Sequence, residues 1–218
     1  MSVLLFPGQG SQVVGMGNEF YEQFDIVKTI FNDADKKLNF PISKIILSGP
    51  EDELQLTKNT QPAILTVSYS IFKVLEEKFN FNFKSFKYFA GHSLGEYCAL
   101  VCSGSLNFLD ALYLLHERGK AMQKAVPVGN GKMLAVLGIE YEELEDLIKN
   151  SKIHNGVCEV ANDNANGQII ISGDKHAIDK FQIVLKEKKI KSIPLKVSAP
   201  FHCSLMKNAA KVMSDKIN

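Results

Sequence analysis

The stretch FKYFAGHSLGEYCALV, residues 86–101, places a short apolar run directly before a serine flanked by glycines. Phe86 to Ala90 is rich in aromatic residues and predicts a buried strand, whereas residues 96–101 favour a helix. Between them, Gly91-His92-Ser93-Leu94-Gly95 has the G-x-S-x-G pattern, whose glycines let the backbone pass where side chains would clash. The stretch therefore predicts that Ser93 stands on a sharp turn from a strand into a helix.

A second loop is expected at the same edge of the sheet. Val3 to Phe6 form another apolar run, and the loop from Gly8 to Gln12 follows it. Loops that follow parallel strands meet at the carboxyl edge of the sheet. We therefore predict that the backbone N–H groups of Leu94 and Gln9 stabilise an oxyanion formed on attack by Ser93. An ordinary turn also explains a G-x-S-x-G match taken alone.

A serine hydroxyl needs a base to become a nucleophile, and the chain offers five histidines. His202 follows the last predicted strand, where the chain would return to the edge that carries the serine, so it is the best candidate by position. His92 adjoins the serine, and its ring is expected to point away and support the loop. His116, His154 and His176 lie in charged or polar contexts that are typical of solvated surface.

Residues 131–197 alternate short strands and helices in the order β-α-β-β-α-β. Strands are predicted at 133–137, 157–161, 168–172 and 192–197, helices at 141–149 and 176–186, and a turn at 164–167. Two further helices are predicted earlier in the chain, one beginning at Thr60 with Pro62 near its first turn, the other over 106–125. This pattern indicates an α/β fold in which a ferredoxin-like subdomain, residues 129–197, interrupts a body made of residues 1–128 and 198–218.

The composition excludes several classes of protein. The 218 residues are 45% hydrophobic and 22% charged, which is ordinary for a globular protein, and 25 basic residues against 24 acidic ones give a formal charge of +1. No overall field therefore favours nucleic acid or an anionic membrane. The four cysteines form no C-x-x-C pair, so we expect free thiols and no metal site. The stretch MSVLLFPGQG has no leader features, so a cytoplasmic location is expected.

Arg118 is the single arginine in the chain, beside 24 lysines. A planar guanidinium forms two parallel hydrogen bonds with a carboxylate, which the ammonium group of lysine cannot do. The residue type therefore indicates either a specific carboxylate partner for Arg118 or chance occurrence at a surface position.

Five motifs carry a resemblance to a known family. They are GQGSQ at 8–12, GHSLGEY at 91–97, ERGKAMQKAVP at 117–127, ANDNANGQIIISG at 161–173 and APFHCSLM at 199–206. In this order and spacing they resemble the malonyl-CoA:acyl carrier protein transacylases over essentially the whole chain. The resemblance implies an α/β-hydrolase-like core with a parallel sheet and an inserted ferredoxin-like subdomain.

The same resemblance implies an activity in fatty acid synthesis. The malonyl group of malonyl-CoA would pass to Ser93 and then to the pantetheine thiol of holo-acyl carrier protein, with His202 moving the proton. Backbone amides of Gln9 and Leu94 would hold the oxyanion, and Arg118 would grip the malonyl carboxylate. Coenzyme A is then part of a substrate, and no cofactor is expected.

Two further residues match the family less specifically. Phe201 resembles the malonyl-selective form of its segment, where a bulky ring leaves little room for a methyl branch. Asn162 matches an asparagine near the family's site, although a turn residue after a strand explains it nearly as well.

A basic cluster on the predicted subdomain is a candidate docking surface for the acidic carrier protein. It comprises Lys186, Lys188, Lys189 and Lys191. A solvated helix end explains the same cluster equally well. We expect a monomer.

The sequence stops at Asn218, whereas the family continues through another strand and terminal helices that include a glutamine orienting the histidine. The resemblance therefore implies a truncated chain whose activity is reduced or absent. Two alternatives to the transferase remain at this point. A serine hydrolase would pass the acyl group to water, and a binding fragment would hold coenzyme A or carrier protein without turnover.

Overall fold

The structure is a computed structural model, and it describes residues 2–151, 153, 155–195, 197 and 199–217. It is mixed α/β, with one parallel and one antiparallel sheet, and it divides into two compact units, residues 1–120 and 121–218. This division groups residues 121–128 and the described residues after 198 with the second unit. The expected partition into residues 1–128 with 198–218 and residues 129–197 stays a prediction.

A pair of parallel strands, β1 (Val3–Phe6) and β2 (Tyr88–Gly91), forms the sheet of the first unit. Val3 lies opposite Tyr88, and Phe6 lies opposite Gly91. Both strands were predicted, although β2 begins two residues later than the apolar run. The helices are α1 (Asn18–Gln23), α2 (Asp25–Leu38), α3 (Ile42–Ser48), α4 (Glu51–Gln55), α5 (Thr57–Glu77), α6 (Gly95–Cys102) and α7 (Phe108–Ala125), which ends beyond Lys120.

The long helix α5 forms the centre of the first unit. It packs against α2, α4 and α6, and Leu65 is fully buried among apolar side chains that include Phe31 and Leu112. The predicted helix is confirmed, but it begins three residues before Thr60. Pro62 therefore lies inside the helix rather than in its first turn, and its missing N–H leaves the carbonyl of Lys58 without the usual partner four residues on.

The antiparallel sheet of the second unit has the strand order β4-β5-β3-β6. Its strands are β3 (Gly131–Leu137), β4 (Cys158–Ala165), β5 (Gln168–Asp174) and β6 (Lys191–Pro194); its helices are α8 (Tyr141–Asn150), α9 (Lys175–Glu187) and α10 (Lys207–Ile217). The predicted order β-α-β-β-α-β is confirmed from β3 to β6. Strand β4 is longer than expected, because the turn to β5 needs only Asn166 and Gly167, with Gly167 at φ +74°.

The two faces of this sheet bury different clusters, as the alternation of side chains along a strand requires. Leu134, Val136 and Ile171 pack with residues of α8 and α9, including Leu144 and Phe181. The opposite face contributes Met133, Ala135 and Ile170, which form a second cluster with Met122, Phe201 and Met206. The segment around residue 202 is therefore anchored on the face away from α8 and α9.

None of the helices in the described part of the chain combines the length and the hydrophobicity that a membrane-spanning segment needs.

The glycine at the end of β2 generates a stability prediction. A Cβ at Gly91 would lie 2.0 Å from the carbonyl carbon and oxygen of Gly95, so Gly91→Ala forces the backbone apart. We expect it to lower the free energy of unfolding by about 3 kcal/mol, measured by urea denaturation. The matched control is Gly104→Ala, because Gly104 has φ +80° and no atom within 4 Å of the added methyl, so only about 1 kcal/mol of backbone strain applies. Equal losses in the two variants would contradict the prediction.

Candidate active site

Ser93 occupies a strained turn between β2 and α6. Its φ is +54°, in the left-handed region that side chains other than glycine rarely adopt. The N–H of His92 donates to the carbonyl of Phe6 at 3.1 Å, and the N–H of Gly95 donates to the carbonyl of His92 at 2.9 Å. The predicted sharp turn from a strand into a helix is confirmed. Backbone strain of this kind clusters at functional sites.

Three glycines make the close packing around this turn possible. Gly91 packs against the carbonyl of Gly95. A Cβ at Gly95 would in turn lie 2.6 Å from the carbonyl oxygen of Phe6. A Cβ at Gly8 would lie 2.5 Å from Nδ1 of His92. The loop that follows β1 therefore lies directly against the serine turn, as the parallel pairing of β1 and β2 predicted.

Side chains of the loop from Gly8 to Gln12 fix its path. Gln9 Nε2 donates to the hydroxyl of Thr57 at 3.3 Å, and Ser11 Oγ donates to the carbonyl of Gly8 at 2.9 Å. The buried side chain of Gln12 accepts a hydrogen bond from the N–H of Gly10 at 2.8 Å and contacts Gln55. Sequence reasoning did not identify Gln12 as a loop anchor, although a glutamine ending a glycine-rich loop is the available signal.

Arg118, on α7, lies beside the serine. Its Nη2 donates to Ser93 Oγ at 3.1 Å, and its Nη1 donates to Gln61 Oε1 at 2.7 Å. The guanidinium carbon lies 6.0 Å from the ring centre of Tyr97. Burial lowers the pKa of Arg118, whereas nearby Tyr97 and Glu96 raise it; an arginine remains charged at neutral pH. The structure therefore places Arg118 in a defined polar site.

The crossing of α5 and α7 brings Gln61 and Arg118 together. His116 Nδ1 donates at 2.9 Å to the carbonyl of Lys58, the group that Pro62 leaves available. A Cβ at Gly119 would lie 2.5 Å from Cα of Lys58, so the helices touch at backbone distance there. Gln61 is 1% exposed, and sequence reasoning did not identify it, because its partner is 57 residues away.

The other histidines differ in their surroundings. The expectation that His116 lies on solvated surface is wrong: it is half-buried, its ring centre lies 5.2 Å from that of Phe40, and burial lowers its pKa. His176 is exposed, as expected, and its Nε2 donates to the carbonyl of Asn155. His92 is exposed with its ring against Gly8, which agrees with loop support. His154 lies outside the described residues.

His202 belongs to the second unit and has an exposed side chain. Its φ of +57° is also in the left-handed region. It lies between two buried residues of one apolar cluster, Phe201 and Met206, of which Phe201 is 6% exposed. Cys203 Sγ donates to the carbonyl of Pro200 at 3.2 Å. The role of His202 as the base for Ser93 stays a prediction.

Asn162 lies inside strand β4, opposite Ile170 and directly after a β-bulge. The alternative explanation as a turn residue is therefore wrong, because β4 continues to Ala165. The contribution of Asn162 to substrate binding, like that of Phe201, stays a prediction.

The described part of the chain contains no group of three or more His, Cys, Asp or Glu side chains placed to hold a metal ion.

The chemistry offered by the first unit comes from a nucleophile, a cation and backbone amides. Ser93 supplies a hydroxyl on a strained turn, and Arg118 supplies a guanidinium whose two terminal nitrogens suit a carboxylate. An acyl group with a distal negative charge fits both features at once.

Comparison with known proteins agrees with this geometry. The acyl transferase domain family matches residues 3–218. The malonyl CoA-acyl carrier protein transacylase of Bacillus subtilis (strain 168) is 43% identical over 215 residues, 98% of this chain and 67% of the relative. That of Escherichia coli (strain K12) is 40% identical over 207 residues, 94% of this chain and 66% of the relative. The chain thus spans about two thirds of the length of these relatives.

Solved structures are similar along the whole chain. The acyl-carrier-protein-S-malonyltransferase of Bartonella henselae has a TM-score of 0.93 at 42% identity, covering 100% of this chain and 69% of that one. A malonyl-transacylase in complex with its type II PKS acyl-carrier protein has a TM-score of 0.91 at 39% identity, covering 98% of this chain and 68% of that one. Because the family match and these identities extend over nearly every residue, this chain belongs to the acyl transferase domain family and, within it, to the malonyl-CoA:acyl carrier protein transacylases.

Proposed function

We propose that this protein transfers malonyl groups from malonyl-CoA to the pantetheine thiol of acyl carrier protein, in fatty acid synthesis. The observation that carries the proposal is the hydrogen bond of 3.1 Å from Arg118 Nη2 to Ser93 Oγ. The guanidinium of Arg118 therefore lies close enough to Ser93 Oγ for a single acyl group to contact both. Relatives at about 40% identity have the same named activity.

In the first half of the reaction, Ser93 Oγ attacks the thioester carbonyl of malonyl-CoA while His202 accepts the hydroxyl proton. The tetrahedral intermediate collapses, the bond from carbon to sulfur breaks, and coenzyme A leaves as a thiol with the proton from His202. Malonyl-Ser93 is the product of this half. The backbone N–H groups of Gln9 and Leu94 stabilise the oxyanion. The close contact between the loop from Gly8 to Gln12 and the serine turn supports this assignment.

In the second half, the pantetheine thiol gives its proton to His202 and attacks the ester carbonyl. The bond from carbon to Ser93 Oγ breaks, and the serine oxygen takes the proton back from His202. The same backbone amides stabilise the second oxyanion. Both substrates therefore use one site in turn, and the reaction needs no resident cofactor.

Selectivity for malonyl comes from its second carboxylate. Arg118 grips this group, and Gln61 orients the guanidinium through the hydrogen bond of 2.7 Å at Nη1. We place Phe201 and Asn162 at the edge of the acyl pocket, where the ring limits branched acyl groups.

The architecture proposed for the chain is an α/β-hydrolase-like core with an inserted ferredoxin-like subdomain. The parallel pair of β1 and β2 supports the first assignment. The strand order β4-β5-β3-β6, with every neighbouring pair antiparallel, supports the second. The protein acts as a monomer in the cytoplasm under this proposal.

We place the docking surface for the carrier protein at the end of α9. Lys186, Lys188, Lys189 and Lys191 are all exposed within six residues, which concentrates positive charge on one edge of the second unit. A solved relative is bound to its acyl-carrier protein, so complexes with this kind of partner occur in the family. Attraction between a basic patch and an acidic partner accelerates encounter more than it strengthens binding.

Mass spectrometry of the intact protein tests the proposed function. Incubation with malonyl-CoA is expected to add one malonyl group to Ser93, and later addition of holo-acyl carrier protein is expected to remove it. The control is Ser93→Ala, which cannot form the ester. Rapid loss of the adduct to water would favour a hydrolase, and failure to form it would favour a binding fragment without turnover.

Arg118→Ala is expected to weaken malonyl loading far more than acetyl loading, because acetyl lacks the distal carboxylate. Removing the partner of a charged group costs about 2 kcal/mol or more, which corresponds to a fall of about 30-fold in kcat/KM for malonyl-CoA. Loading rates with both thioesters measure the ratio. Arg118→Lys is the matched variant, since it keeps the charge and loses the planar fork. A similar loss for both acyl groups would exclude the role assigned to Arg118.

Charge reversal tests the docking surface. The double variant Lys188→Glu with Lys191→Glu is expected to slow malonyl transfer to carrier protein about tenfold at low salt, with less effect as salt screens the attraction. Transfer to a small thiol such as free pantetheine is expected to stay unchanged. The control reverses two exposed lysines of α7 and α10, Lys120 and Lys211. If both acceptors slow equally, the surface is not a docking site.

A further inference from the structure

A carboxylate that the proposed mechanism does not use anchors the segment carrying His202. Ser204 begins a short 3-10 helix, Ser204–Met206, two residues after His202. Its backbone N–H donates to Glu159 Oε2 at 2.7 Å, and its hydroxyl donates to Glu159 Oε1 at 2.7 Å. Ser204 therefore binds both oxygens of the Glu159 carboxylate, and the two hydrogen bonds together fix the position and the orientation of Ser204.

Glu159 is well placed for this contact because of its position in the sheet. It lies on β4, opposite Ser172 of β5, just before the bulge between Val160 and Asn162. Its neighbours Cys158 and Val160 pack with the cluster of α8 and α9. Alternation therefore turns the carboxylate to the other face, where the cluster containing Phe201 and Met206 lies.

The turn at His202 needs such an anchor. A non-glycine residue in the left-handed region is strained, and this conformation persists only where the surroundings determine it. Burial of Phe201 and Met206 holds the turn against the sheet, but apolar contacts allow sliding. Two short hydrogen bonds to a charged acceptor are directional, so they restrict the angle at which the segment leaves the sheet.

We infer that Glu159 is a positioning residue for His202. Its carboxylate holds Ser204, and through two peptide units it fixes the backbone from which the imidazole projects. The inference rests on the proposed role of His202 as the base. Glu159 touches neither substrate nor the reacting atoms in this role, and its effect on transfer passes through the histidine.

The kinetic test compares substitutions at Glu159 and Ser204. Glu159→Ala is expected to lower kcat for malonyl transfer at least about tenfold, with KM for malonyl-CoA changed less than about twofold, since Ser93 and Arg118 are untouched. Glu159→Gln is expected to recover most of the rate, because its amide can still accept from the N–H and donate to the hydroxyl of Ser204. Ser204→Ala loses one of the two hydrogen bonds and is expected to be intermediate.

The matched control is Glu145→Ala, which removes a partly exposed glutamate paired with Lys149 at 2.9 Å in the same unit. It is expected to leave kcat unchanged. If Glu159→Ala changes kcat no more than Glu145→Ala, or if Glu159→Gln recovers nothing, the positioning role is overturned.

A second measurement does not depend on activity. In NMR spectra, Glu159→Ala is expected to raise amide hydrogen exchange at Ser204 at least about tenfold and to shift the ring signals of His202, while those of His116 stay in place. Unchanged exchange and ring signals would overturn the inference. If the parent protein transfers no malonyl group, the proposed function fails, and this measurement still decides whether Glu159 holds the turn.

Discussion

The geometry at Ser93 depends on backbone contacts that are too close to leave room for a Cβ atom. An added Cβ at Gly91 would lie 2.0 Å from the Gly95 carbonyl, and an added Cβ at Gly8 would lie 2.5 Å from Nδ1 of His92. This packing forces the chain from strand to helix within three residues. The strain falls on Ser93, whose φ of +54° lies in the left-handed region. Substituting any of these glycines would displace the turn itself.

The cation beside the serine depends on a second close approach, between α5 and α7. Pro62 cannot donate to the carbonyl of Lys58, and His116 takes that carbonyl instead at 2.9 Å. Gly119 permits the contact because it carries no Cβ. The crossing of α5 and α7 brings Gln61 next to Arg118. The missing N–H of Pro62 thus contributes to the orientation of the guanidinium, which recognises a carboxylate in the proposed reaction.

The two residues of the proposed proton transfer share one backbone property. Ser93 and His202 both have positive φ, which elsewhere in the described chain occurs at asparagines, at Lys189 and at glycines. Each turn is held by its own surroundings: glycine packing around Ser93, and the buried ring of Phe201 with the hydrogen-bonded carboxylate of Glu159 beside His202. Strain concentrated at the two side chains of the proposed proton transfer is expected where their orientation matters for chemistry.

The sequence alone determined the order of strands and helices from β3 to β6, the turn at Ser93 and the candidacy of Arg118 for a carboxylate partner, because these follow from periodicity, glycine spacing and residue type within short windows. Tertiary structure decided which distant polar groups support them. Gln61 meets Arg118 across 57 residues, and Glu159 meets Ser204 across 45. The residues next to Gln61 or Glu159 in the sequence do not reveal these partners, because the same neighbouring residues would be compatible with many different partners. Only the packing of helices and the pleat of the sheet bring these groups within hydrogen-bonding distance.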